Sequence, residues 1–407
     1  MFVNVIGLGY IGLPTALMLA SHGVDVIGTD YNGQVVEQLQ KGQTTFKEKG
    51  LDDLFQKALR AGIRFSDSYQ ITDMYIVSVP TPYNPETKQV DAQFVVASVR
   101  KVLKICRRGA IIVIESTISP GTVDRYIRPE VKRAGYVVGR DIHLVHAPER
   151  IIPGNMLYEL IHNNRTIGAD SREVGEMVKR YYSSFCQGEI IVTDIRTAEM
   201  TKVVENTFRA VNIAFANELA RICRHDNMDV YEIIRICNMH PRVNILQPGP
   251  GVGGHCIPVD PWFLVGDYPD LTAVTAACME TNAGQPAFVL RRIQEIMNQR
   301  QLLDASRVGL YGLTYKENVD DIRESPTRQL LNCEMDGVRP QFKVYDPFVT
   351  QDAVPNQYHD FERFLDDIDM IVIMVKHQLV QQSWNQLRDK VILDCQNICP
   401  LDGVLHL

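Results

Sequence analysis

The sequence predicts an α/β protein: two doubly wound parallel-sheet domains joined by a long central helix and a helical middle region. Three observations carry that expectation. Over the first 195 residues, short β-branched runs alternate with helical stretches across polar or Gly/Pro turns. From Glu189 to His240, 52 residues pass without a glycine or a proline. Past Ser306 the strand–turn–helix alternation returns. A chain of 407 residues, 45% hydrophobic and 22% charged, has globular composition and room for about two to three domains.

Taken in order, the first strands are expected at Val3–Ile6, Val24–Thr29, Met74–Val79, Ile111–Glu115, Ile142–His146 and Ile190–Val192. Near-continuous apolar runs such as Ile111-Ile112-Val113-Ile114 suit strands covered by helices on both faces, the arrangement of a parallel sheet. Helical periodicity then runs from about Thr197 to Arg224 and breaks at His225-Asp226-Asn227. Asp229 followed by Glu232 has the spacing of a capping box for the next helix. Pro241 to Pro261 has the opposite texture, with Gly249, Gly251, Gly253, Gly254 and five prolines, and a helical stretch resumes from about Thr272 to Gln301. Val308–Tyr311, Phe342–Tyr345, Met370–Val375 and Val391–Leu393 are the strands expected in the last segment. The domains so expected are 1–195, a doubly wound α/β unit; 196–302, a helical region whose long helix suits a domain connector and a dimer surface; and 303–407, a second, smaller α/β unit.

Charge and cysteine content exclude several classes. A net charge of −7 leaves no broad basic surface for a nucleic-acid backbone. The first 24 residues carry no Lys, Arg, Asp or Glu, but Gly7, Gly9, Gly12 and Pro14 interrupt the apolar run too often for a membrane span, and a basic leader region is missing. Nine scattered cysteines without a C-x-x-C pair favour thiols in a reducing cytoplasm over a disulfide framework or a metal site.

Gly7-Leu8-Gly9-Tyr10-Ile11-Gly12 follows the first strand and opens a helix that Gly23 would end. The first glycine makes the tight turn, the second lets backbone approach a pyrophosphate, and the third permits close helix–strand packing. Asp30 closes the second strand, 18 residues after Gly12, where a carboxylate would accept the ribose hydroxyls of NAD and repel the extra phosphate of NADP. Gly309 and Gly312 open the last segment without a third glycine, so that unit is expected to bind something other than a second dinucleotide. Thr81 and Thr117 stand near strand ends, where ligands bind or where turns simply form. Cys256, in Gly251-Val252-Gly253-Gly254-His255-Cys256-Ile257-Pro258-Val259-Asp260-Pro261, is either a small core residue or a nucleophilic thiol in a loop open to substrate. Lys202 and Asn206 share a helix face near Glu199 and Arg209, as a solvated stripe or as a site. Asp320-Asp321-Ile322-Arg323-Glu324-Ser325-Pro326 is a charged turn that could merely cap a helix.

Together these segments resemble the nucleotide-sugar dehydrogenase family that includes the UDP-glucose and GDP-mannose enzymes. The resemblance spans the chain: G-L-G-Y-I-G-L-P, V-P-T-P, E-S-T-I-S-P-G-T, A-E-M-T-K-V-V-E-N, G-G-H-C-I-P-V-D-P and D-D-I-R-E-S-P, in that order. The stretch H-P-R-V-N-I-L-Q-P-G-P-G-V-G-G-H-C looks most like the branch acting on UDP-N-acetyl-D-mannosamine. Val259 stands where UDP-glucose enzymes have a lysine, and Pro153 where they have an acid, which points to an N-acetylated hexosamine. UDP-N-acetylglucosamine is the alternative, since motifs do not read stereochemistry.

The resemblance implies oxidation of the sugar's sixth carbon from alcohol to carboxylate by two NAD in succession, for surface polysaccharide synthesis. It implies that Cys256 forms a thiohemiacetal and then a thioester. Lys202, Asn206 and Asp260 would handle protons and oxyanion charge, with Glu149 and Thr117 serving hydrolysis. By the same token Tyr10, Ile11, Asp30, Thr81, Thr117 and Arg323 would touch NAD. Arg150, Ile151, Lys202, Asn206, Arg209, His240, Arg242, Gly253, Tyr315 and Lys316 would touch the UDP-sugar, Arg242 reaching into the site of the other subunit of a homodimer. No metal is implied.

Overall fold

The computed structural model describes residues 2–335 and 337–407. The chain forms two compact units, Met1–Glu205 with Phe263–Tyr268, and Asn206–Trp262 with Pro269–Leu407. The first unit holds eight strands: β1 (Phe2–Ile6), β2 (Asp25–Thr29), β3 (Arg64–Ser66), β4 (Met74–Val77), β5 (Ala110–Ile114), β6 (Ile142–His146), β7 (Arg165–Ala169) and β8 (Ile190–Thr193). They lie in the order β3-β2-β1-β4-β5-β6-β7-β8. Every pair is parallel except β6 with β7, so the sheet is mixed rather than wholly parallel as the sequence suggested.

Period-two alternation divides the apolar runs between two cores. Met74, Ile76, Ile111 and Val113 pack with Leu13 and Leu17 of the helix Gly12–Ser21 on one face. Tyr75, Val77, Ile112 and Ile114 pack with Val95 and Val99 of the helix Gln93–Leu103 on the other. Strands buried on both faces have no polar side to present, which is why these sequences read as unbroken hydrophobic stretches.

The second unit holds β9 (Val308–Tyr311), β10 (Lys343–Tyr345), β11 (Gln357–Tyr358), β12 (Met370–Ile373), β13 (Val391–Asp394) and β14 (Leu405–His406), all parallel, in the order β11-β10-β9-β12-β13-β14. This repeats the order of the first six strands of the other unit. In both, strand order reverses beside the opening strand, between β1 and β4 and between β9 and β12, which leaves a crevice at the carboxyl ends.

All ten strands expected from sequence are present, with ends displaced by a residue or two. The four that went unannounced are β3, β7, β11 and β14. Three of these have only two or three residues. The fourth, β7, begins with Arg165 and Thr166, polar residues that only tertiary partners make tolerable in a buried strand. The central helix is Ile195–His225, and the next, Val230–Cys237, is capped by Asp229, which accepts from the Tyr231 and Glu232 N–H groups. The stretch expected from Thr272 to Gln301 is two helices, Ala273–Ala283 and Gln285–Arg300, parted at Gly284.

Within the first unit the start of the central helix is held close to β7. A Cβ on Gly168 would lie 2.7 Å from both Ala198 Cβ and the Asp194 carbonyl oxygen. Gly168→Ala is therefore an overpacking change. It should lower stability by about 1–3 kcal/mol, read as a lower urea midpoint at unchanged slope.

Candidate active site

The turn from β1 into the helix Gly12–Ser21 is shaped by three glycines with different tasks. Gly7 has φ +91°, and a Cβ there would come within 2.5 Å of the Ser78 carbonyl oxygen. A Cβ on Gly12 would overlap the Gly7 carbonyl oxygen, whereas one on Gly9 would meet nothing within 4 Å. The loop is thus tight on its inner side and open at Gly9, the position that must let a pyrophosphate approach. Asp30 fixes the loop: its Oδ2 accepts the Leu8 N–H at 2.8 Å and its Oδ1 the Asn32 N–H at 2.9 Å. An ionised carboxylate offers about four acceptor positions, so capacity remains for a ribose diol. Tyr10 packs on Phe46 with ring centroids 4.5 Å apart. These residues fit a bound NAD.

The second unit repeats the turn and closes it. Gly312 has φ +100° and donates to the Tyr345 carbonyl at 2.8 Å, just as Gly7 donates to Thr29 at 2.8 Å. Asp346 takes the place of Asp30, accepting from Leu313 N–H at 2.6 Å and Phe348 N–H at 2.8 Å. Here, however, His377 Nε2 lies 3.1 Å from Asp346 Oδ2, and both side chains are fully buried. Burial opposes ionisation of Asp346, but the hydrogen bond from His377 and those from the Thr314 and Phe348 N–H groups outweigh it and hold the carboxyl below its ordinary range. Asp346 is thus sealed by His377 and lacks the open acceptor face that Asp30 keeps.

The cysteine loop belongs to the second unit and lies along the central helix, tied by amides projecting from it. Asn212 accepts the Leu246 N–H at 2.9 Å and donates to the Asn244 carbonyl at 2.8 Å. Asn217 accepts the Gly249 N–H at 3.0 Å. Asn206 Nδ2 donates to Asp260 Oδ2 at 2.5 Å, and both groups are buried. Cys256 is half-buried, and its carbonyl accepts the Asp260 N–H at 2.8 Å, which sets thiol and carboxylate on one turn at the start of the helix Asp260–Asp267. Gly253 and Gly254 are needed because Tyr315 presses on them: added Cβ atoms would stand 2.5 and 3.0 Å from its side chain. Gly254 N–H also donates to the Arg323 carbonyl at 2.9 Å.

Of the helix face read as solvated or functional, Lys202 and Asn206 are buried and Glu199 fully so, while Arg209 is exposed. Glu199 accepts from the Gly121 and Val123 N–H groups at 2.5 and 2.9 Å, so it is structural. Thr81 Oγ1 donates to the Thr117 carbonyl at 2.6 Å. Arg150 pairs with Glu205 at 2.6 Å and donates to Thr166 Oγ1 at 3.0 Å, and Ile151 is part of the apolar core. Arg323 pairs with Asp321 at 2.5 Å, and Ser325 caps the helix Pro326–Leu331, so the charged turn does begin a helix. Tyr315 and Lys316 are half-buried in the same unit, and His240 and Arg242 are exposed. Sequence reasoning missed what stands behind Glu149: its carboxylate is ion-paired with Arg165, and both are buried. An arginine opening an apolar strand was the available signal.

Fold and site define a dinucleotide-dependent oxidoreductase with a cysteine-bearing loop. The chain belongs to the UDP-glucose/GDP-mannose dehydrogenase family: residues 1–186 match its NAD binding domain, 196–283 its central domain and 309–400 its UDP binding domain. It is an NAD-dependent nucleotide-sugar dehydrogenase. The UDP-N-acetyl-D-mannosamine dehydrogenase of Methanococcus maripaludis is 37% identical over 97% of this chain and 92% of its own. The NDP-N-acetyl-D-galactosaminuronic acid dehydrogenase of Ralstonia nicotianae is also 37% identical, over 97% and 96%. Among solved structures, the UDP-N-acetyl-mannosamine dehydrogenase Cap5O from S. aureus is 41% identical, with a TM-score of 0.89 over 100% of this chain and 98% of that one. Among the described residues no helix is long and apolar enough to cross a membrane.

Asp30→Asn removes a charged acceptor from the loop. A hydrogen bond to a charged group contributes about 1.5–3 kcal/mol, so KM for NAD should rise roughly ten- to hundredfold. Discrimination against NADP should also fall; an unchanged preference would show that the acid does not face the ribose.

Proposed function

We propose that this protein oxidises UDP-N-acetyl-D-mannosamine to the corresponding uronate in the cytoplasm, for surface polysaccharide synthesis, through covalent intermediates on Cys256. The observation that carries the reading is the half-buried Cys256 on one turn with Asp260, whose carboxylate is held by Asn206. The names of the relatives from Methanococcus maripaludis and S. aureus support the sugar.

NAD bound at the Gly7–Gly12 loop supplies the two-electron acceptor for each of two oxidations. In the first, Lys202 and a water held by Asp260 and Asn206 take the alcohol proton, giving an aldehyde. The Cys256 sulfur then bonds to the aldehyde carbon, and the thiol proton ends on the oxygen. In the second oxidation the water held by Asp260 and Asn206 takes the thiohemiacetal hydroxyl proton as the remaining C–H leaves as hydride to the acceptor. Lys202 and Asn206 stabilise the developing oxyanion on the way to the thioester. Finally Glu149 takes a proton from water ordered by Thr117. The hydroxide adds, the C–S bond breaks, and thiol and carboxylate are released. In this reading Tyr10, Ile11, Asp30, Thr81, Thr117 and Arg323 serve NAD. Arg150, Ile151, Arg209, His240, Arg242, Gly253, Tyr315 and Lys316 serve the UDP-sugar.

The equal identity to the Ralstonia enzyme favours a second reading, in which an N-acetylgalactosamine configuration is accepted. NADH yield per mole decides. Two from the manno sugar alone supports the first reading, two from the galacto or gluco epimer moves the substrate, and one from any sugar removes Cys256 from the mechanism. Cys256→Ser should stop at the aldehyde while still binding NAD.

A homodimer through the central helix is part of the proposal. Phe208, Phe215 and Ile222 recur at heptad spacing and are 67%, 47% and 48% exposed. Three large apolar side chains in one stripe need cover from water. Phe215→Glu should convert dimer to monomer in sedimentation at micromolar concentration; a protein already monomeric, or a variant still dimeric, would refute this interface.

A further inference from the structure

Behind Glu149 the first unit buries more charge than hydrolysis by one carboxylate requires. Glu115, at the end of β5, Arg165, at the start of β7, and Glu149, after β6, are each no more than 5% exposed. Arg165 is ion-paired with Glu149, and its guanidinium lies 4.5 Å over the Tyr182 ring and 5.4 Å from that of Phe185. The Tyr182 hydroxyl donates to Glu115 Oε1 at 3.0 Å. Two further hydroxyls close on Glu115: Ser78 on Oε2 at 2.5 Å and Thr15 on Oε1 at 3.3 Å. Ser78 follows β4 and Thr15 lies in the first turn of the helix Gly12–Ser21. Glu115 is therefore wired both to the nucleotide loop and, through Tyr182, to the cation that holds Glu149.

Arg165 is ion-paired with Glu149 and also acts on Glu115 through its charge. A buried charge needs a partner, and a second carboxylate beside the same cation competes for it. We propose that Glu115 is a positioning residue for the hydrolytic step: through Tyr182 and Arg165 it governs how tightly Glu149 is held, and its own loss of a proton releases Glu149 to act on water. This rests on the proposed role of Glu149. The groups facing Glu115 are Arg165, Glu149 and Tyr182, with Cys186 facing Arg165. Burial pushes the Glu115 carboxyl up, the Arg165 charge pulls it down, the Glu149 charge raises it, and the Ser78 and Tyr182 hydroxyls lower it, leaving it at about 7. Below that pH one carboxylate faces Arg165. Above it two do, and the grip on Glu149 loosens.

The test is pre-steady-state NADH release by the full enzyme with its nucleotide sugar, between about pH 6 and pH 8. In the wild type the rate after the burst should rise roughly threefold to tenfold with pH across this range. Glu115→Gln cannot ionise, and should abolish that rise while keeping the burst amplitude and the KM for NAD. Tyr182→Phe removes a hydrogen bond that favours ionised Glu115. It should move the rise to higher pH, which a merely structural tyrosine would not do, and it serves if the Gln variant fails to fold. A wild-type profile in both variants, or loss of the burst in Glu115→Gln, would overturn the inference. Glu149→Gln separates the two levels. If it stalls after the burst while the other variants behave as wild type, only Glu115 is wrongly assigned. If it turns over normally, the role of Glu149 falls first.

Discussion

A helix keeps its hydrogen-bond ladder only where every interior residue offers an N–H and tolerates helical backbone angles. The 31 residues of Ile195–His225 do so because none is proline or glycine, and the loops packed on it within each unit depend on the fixed spacing of its side chains. Side chains at chosen spacings along it become fixed points. Glu199 satisfies the Gly121 and Val123 N–H groups, Asn206 holds Asp260, and Asn212 and Asn217 hold the backbone of 244–249. The Pro- and Gly-rich segment around Cys256 has little regular structure of its own. Rigidity there is borrowed from the helix through side-chain amides.

The second constraint is the carboxylate that follows the second strand of each sheet. Asp30 and Asp346 make the same two bonds to backbone N–H groups, one in the glycine turn and one two residues beyond the acid. That interaction belongs to the architecture, since it fixes a tight turn at the crevice whatever the ligand. What differs is the remaining face of the carboxylate. His377 covers it in the second unit, while Asp30 has two backbone donors and a turn open at Gly9. The Thr314 N–H and His377 together close in the second unit the carboxylate face that stays open in the first.

Buried charge is the third theme. Arg165, Glu149, Glu115 and Asp260 would each be costly alone in an apolar interior, and each is matched by an ion pair, a cage of hydroxyls or an amide. Such clusters tolerate few substitutions, because removing one member strands another. Glu115 and Glu149 follow the carboxyl ends of β5 and β6, where loops must combine precision with access.

By itself the sequence determined the two α/β units, the glycine turn with Asp30, the central helix and the cysteine loop. These are written in local patterns, apolar periodicity and the spacing of Gly, Pro, Asp and Cys, that need no distant partner to be recognised. Short β3, β11 and β14 lack the length for a period to register, and β7 hid behind its opening Arg165. Only the tertiary structure decided that β7 runs antiparallel, that Glu199 is buried, that Asp346 is sealed by His377, and that Arg165 stands between Glu149 and Tyr182. Each joins residues many positions apart, whose mutual hydrogen bonds or charge become visible only when the chain has brought them out of water together.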